Sequence, residues 1–203
     1  MVWDKIPKPD TRNPLPPMRH EGFHDNALAD LPVRPSLDRV QRVTHAGSIM
    51  VKEVYVSTRL LVIGYGSPLR GDDAAGFIVA SELEAAAPAD VDCRAIHQLT
   101  PDLAAICARA DDVVFIDAYP ARSGDALRIV PLSADPTAST STHGCSPASV
   151  LALSRQLYGC TPRATLLAIP ACGFELGAPP SDTARTAMRE AIRYVEKRMA
   201  GHA

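Results

Sequence analysis

Residues 60–76, LLVIGYGSPLRGDDAAG, constrain the fold of this chain more than any other stretch. Leu60 to Ile63 form an unbroken apolar run, which suits a strand covered on both faces, as in a parallel sheet. The run breaks at Gly64 and Gly66, passes through Ser67 and Pro68, and reaches the acidic pair Asp72 and Asp73. Ala75, Ile78, Val79 and Leu83 then recur at helical spacing. The pattern predicts a strand, a tight glycine turn, a loop, and a helix with carboxylates at its start. In an open α/β sheet such a loop lies at the carboxyl edge of the strands, where ligands bind.

The rest of the chain repeats the alternation. Strands are predicted over 54–63, 91–96, 112–117, 126–132 and 164–169. Helices are predicted over 73–86, from a Thr100-Pro101-Asp102 start, from Ser146-Pro147 and from Ser181. Val150, Leu153 and Leu157 are expected to point inward from the third helix, and Met188, Ile192, Val195 and Met199 from the last. Strand alternating with helix implies an α/β fold, a three-layer α/β/α sandwich with a mostly parallel central sheet. Residues 51–203 are read as that one domain. Residues 1–50 carry prolines at 7, 9, 14, 16, 17, 32 and 35 with polar residues between them. That composition predicts a disordered extension, and Met50 is a candidate start of translation.

The net charge of −2 gives no electrostatic reason to expect nucleic acid or an anionic membrane as partner. No apolar run approaches the roughly 20 residues of a membrane span, and the first residues lack the apolar core of a secretory signal. Five cysteines, an odd number without framework spacing, fit a reducing compartment. A cytoplasmic location is expected.

Gly64-x-Gly66 is followed by Leu69, so the three-glycine dinucleotide pattern fails, and no phosphate-binding P-loop is present. Three residues are instead predicted to share the carboxyl edge of the sheet: Asp73, Asp117 at the end of DVVFID, and His143 in STSTHGCSP. Two carboxylates and an imidazole make an open ligand set for a borderline divalent metal. Of the adjacent acids Asp72 and Asp73, only one is expected to face the cleft, and helix starts favour acids for capping alone. His97 and Gln98 could line the same edge. Cys145, two residues from His143, could serve as a thiol nucleophile if the histidine acted as its base. Cys107 and Cys160 are read as packed small apolar residues.

From about Leu60 to Met199 the chain resembles the hydrogenase maturation proteases, endopeptidases that remove a C-terminal extension from the large subunit of [NiFe] hydrogenases. LLVIGYGSPLRGDDAAG, HQLTPDLA with DVVFIDA, STSTHGCSP and the helical finish carry the resemblance, in that order. It implies an α/β/α sandwich in which Asp73, Asp117 and His143 meet the nickel already placed in the precursor, so the metal arrives with the substrate. It also implies the large-subunit precursor as partner; a monomer is expected. Ser67 stands where the family usually carries asparagine, and Asp73 where some members carry glutamate. Two other readings are a non-catalytic assembly factor for the same subunit, and an α/β hydrolase built on Cys145 and His143.

Overall fold

The apolar run of residues 60–63 forms most of β1 (Thr58–Tyr65), and both faces of this strand are buried. Leu60 and Val62 face one core, Leu61 and Ile63 the other, as the two-residue period of a strand requires. The computed structural model describes residues 58–122, 125–135 and 145–201. The extension 1–50, the first residues of the predicted opening strand and the loop holding His143 lie outside the described residues.

The five strands are β1, β2 (Val91–Ile96), β3 (Ala110–Pro120), β4 (Arg128–Leu132) and β5 (Arg163–Ala171), arranged 2-1-3-5-4. The β1–β2, β1–β3 and β3–β5 pairings are parallel, and β4 closes one edge antiparallel to β5. Pro131 sits on β4, where an edge strand tolerates a missing donor. The predicted mostly parallel sheet is therefore present.

Among the described residues, four helices cover it: α1 (Ala75–Glu84), α2 (Leu103–Cys107), α3 (Pro147–Tyr158) and α4 (Asp182–Ala200). β2 and β3 flank β1 on opposite sides, so two right-handed crossovers must place α1 and α2 on opposite faces. One core accordingly joins Val79 and Leu83 of α1 with Ala184, Met188, Ala191 and Val195 of α4, against Val114, Ile116, Leu167 and Ile169. The other joins Leu103 and Cys107 with Val150 and Leu151, against Val113, Phe115 and Leu166. These are the three layers expected.

Local signals fixed most boundaries. Ser146 caps α3 through a reciprocal capping box with Ser149, and Ser181 caps α4 by accepting from the Ala184 N–H at 3.2 Å. Two expectations fail. Thr100 supplies no capping hydroxyl: the N–H of Leu103 bonds its backbone carbonyl, and α2 starts without a side-chain cap. Leu157 is 62% exposed, because the inward face of α3 runs through Val150, Leu151 and Ser154 and nothing packs on its last turn. No helix among the described residues is long and apolar enough to cross a membrane.

Candidate functional site

β1 and β3 run side by side up to the pair Gly64–Ile116, and there they part. β3 continues along β5 from Asp117 to Pro120, while β1 turns off toward α1. The crossovers from β1 and to β3 lie on opposite faces, so the parting opens a crevice at the carboxyl edge. This is the switch point at which open α/β sheets bind ligands. Asp117 is the first β3 residue past the shared ladder. Asp73 faces it from the short 3-10 turn Gly71–Ala74 that leads into α1.

The glycines let the turn pass close under the helix. Gly66 has φ of 138°, and a Cβ there would lie 1.9 Å from the Asp73 carbonyl oxygen. At Gly76 a Cβ would lie 2.3 Å from the carbonyl oxygen of Ile116 and 2.5 Å from that of Tyr65. No larger residue lets α1 seat against the parting strands.

The two adjacent acids do different work. Asp72 is 1% exposed, and its carboxylate accepts the N–H groups of Cys172 (2.7 Å), Gly173 (3.1 Å) and Ser181 (2.5 Å) and the Ser181 hydroxyl (2.8 Å). Burial alone would raise its pKa; the Ser181, Cys172 and Gly173 donors outweigh it and hold the carboxyl below the usual carboxylate range. Asp72 is thus a structural clamp. Asp73 is half-buried, and its Oδ2 accepts the N–H of Ser67 at 3.0 Å. Only Asp73 is left to face the crevice.

Asp117 is half-buried and accepts the N–H of Ala118 at 2.8 Å. Burial pushes its pKa up to about 7 and the charge of Asp73 adds to the rise, against the Tyr65 hydroxyl and the Ala118 N–H, which lower it. Burial, and then the charge and hydrogen bond of Asp117, hold the Tyr65 hydroxyl protonated well above its ordinary range. The crevice therefore contains two carboxylates that repel each other and a phenol that donates to one of them. A cation held between them would relieve that repulsion and would compete with the proton on Asp117.

Of the three predicted site residues, Asp73 and Asp117 meet at this crevice, and His143 lies outside the described residues. Among the described residues no group of three or more His, Cys, Asp and Glu side chains could hold a metal. His97 is exposed at the end of β2 and stacks on Phe77 of α1, ring centroids 5.7 Å apart. Cys145 leans on the core between the sheet and the α2–α3 layer. Burial raises its pKa, the Ser149 hydroxyl lowers it, and the charge of Asp102 adds to the net rise. Cys107 is buried as expected, and Cys160 is half-buried. The pairing of Tyr65 with Asp117 was not foreseen; a polar aromatic between two glycines at a strand end was its only mark in the sequence.

No family model and no curated protein matches the sequence. Solved structures do. A hydrogenase-maturating endopeptidase from E. coli aligns over 70% of this chain and 94% of its own, with 24% identity and a TM-score of 0.56. A [NiFe] hydrogenase maturation protease from Thermococcus kodakarensis aligns over 70% and 92%, at 23% identity and a TM-score of 0.53. A hydrogenase 2 maturation peptidase from a Thaumarchaeota archaeon aligns over 70% and 98%, at 20% identity and 0.52. The chain has the fold of these maturation proteases.

Proposed function

We propose that this chain is an endopeptidase that removes the C-terminal extension from the large-subunit precursor of a [NiFe] hydrogenase after nickel has been inserted. Asp73, Asp117 and His143 would meet the nickel that the precursor carries, so the metal belongs to the substrate. The observation that carries this reading is the convergence of Asp73 and Asp117 on the β1–β3 switch point of a fold shared with such proteases. Two carboxylates held close in a half-buried crevice favour a divalent cation and disfavour an empty, doubly charged state.

Within that reading the residues take separate tasks. The Ser67 N–H orients Asp73, and Tyr65 with the Ala118 N–H orients Asp117. Asp117, which exchanges its proton near neutrality, has to shed that proton before it can meet the metal. Asp73, turned over the glycine loop, anchors the substrate's metal. The raised pKa of Cys145 weighs against the thiol alternative.

The test uses a nickel-loaded large-subunit precursor incubated with the wild type and with Asp73→Asn, Asp117→Asn and His143→Ala, the products being weighed by mass spectrometry. Loss of a C-terminal peptide with the wild type alone, and only with nickel present, is expected. Binding without cleavage would favour an assembly factor. Cleavage surviving all three substitutions would overturn the site.

A further inference from the structure

The clamp at Asp72 does more than hold the loop that presents Asp73. Its carboxylate reaches the loop 172–180 that links β5 to α4, and two backbone bonds continue the same seam. The Asp72 N–H donates to the Gly173 carbonyl at 2.9 Å, and the Gly177 N–H donates to the Leu69 carbonyl at 2.8 Å. Residues 69–72 therefore lie alongside 173–177 as a stitched pair of loops. Gly71 has φ of 52°, and a Cβ there would come within 2.8 Å of the Gly173 carbonyl oxygen, so the loops touch along their length.

This rigid pair presents apolar side chains to solvent. Leu69 is 65% exposed, Leu176 80% and Phe174 36%, with Pro68 also exposed beside them. Single exposed leucines are ordinary on protein surfaces. Three large apolar residues on two loops cross-linked by a buried carboxylate are not scattered, and apolar surface of this kind marks protein contact. The ridge begins four residues before Asp73 in the same loop, so Leu69 lies within about 15 Å of it.

We infer that the stitched loops 67–72 and 173–177 are the docking ridge for the polypeptide substrate, with Leu69, Phe174 and Leu176 gripping an apolar segment of the precursor next to the bond to be cut. The inference rests on the protease reading for its choice of partner. A peptidase must hold its polypeptide as well as meet its metal, and the ridge puts exposed apolar side chains on the same loop as Asp73. Because the three side chains are exposed, replacing them weakens binding while leaving the core untouched.

The experiment compares the wild type with Leu69→Ser/Leu176→Ser and with Phe174→Ser, in full-length protein. Binding of the nickel-loaded precursor is followed by biolayer interferometry and its cleavage by mass spectrometry. The expected result is a rise of tenfold or more in Kd and KM for the double variant, with kcat within twofold and the melting temperature unchanged. Unchanged Kd and KM with normal wild-type cleavage would overturn the ridge and leave the protease standing. Wild-type binding without cleavage, weakened tenfold by the same substitutions, would keep the ridge and overturn the protease. A wild type that neither binds nor cleaves the precursor would overturn both.

Discussion

Asp117 carries its charge at a cost. Its pKa of about 7 means that between about pH 4 and pH 7 the folded chain binds a proton that the unfolded chain has released. Stability contributed by this residue therefore falls as pH rises through that window and is lowest above it. Asp117→Asn keeps an acceptor for Tyr65 and removes the repulsion with Asp73. It should raise unfolding stability at pH 8 by on the order of 1–2 kcal/mol, less than the full shift because the group is part-exposed, with little change at pH 4. Urea titrations at the two pH values check this, and the same variant should not cleave. In the wild type, kcat/KM should climb as pH rises through about 7, where Asp117 of the free enzyme sheds the proton that competes with the substrate's metal.

Asp72 has the opposite sign. Its depressed pKa contributes stability that is present at neutral pH and lost as pH falls below the ordinary carboxylate range. Asp72→Ala strands the part-buried donors of Cys172, Gly173 and Ser181 and should cost about 3 kcal/mol at pH 7, measured by chemical denaturation. Adjacent in sequence, the two acids of the motif face unrelated fates. Nothing local distinguishes them, because the partners of Asp72 lie 100 to 109 residues further on.

At the scale of elements, the β1-to-α1 unit is the most demanding join. Gly76→Ala would drive a methyl into the carbonyls of Ile116 and Tyr65. The variant should lose about 3 kcal/mol and a large part of its activity together, since the same shift moves Asp73; thermal unfolding and precursor cleavage measured in parallel test this. This unit was legible in the sequence because each step had its own signal: an apolar run, paired glycines, a helical period. β2, β3 and the starts of α3 and α4 were legible for the same reason. Thr100 misled because a helix of five residues can begin on backbone bonds alone, and Leu157 because periodicity does not tell where a packed partner ends. Tyr65 was missed because its role depends on Asp117, fifty-two residues away across the parting strands.

For the whole molecule, the proline-broken, polar sequence of residues 1–50 offers no periodic apolar face to a core. A chain beginning at Val51 should therefore unfold within about 2 °C of the full chain, as differential scanning calorimetry would show. The amino edge of the sheet is closed by charge: Arg59 pairs with Asp90 at 2.5 Å and donates to the Met199 carbonyl at 3.2 Å, and Arg198 pairs with buried Asp112 at 3.1 Å. The carboxyl edge, relieved of that duty, holds the crevice.

The reach of the Asp72 carboxylate also sets an order in time. Its donors on Cys172, Gly173 and Ser181 are synthesised 100 to 109 residues after it. A nascent chain halted before Ser181 has β1 and the motif, yet lacks the groups that fix the loop. Closing a connection of such sequence separation is slow and comes late in folding. The loop that presents Asp73 is thus completed only when the start of α4 has been released and docked, so the crevice is among the last features to be assembled.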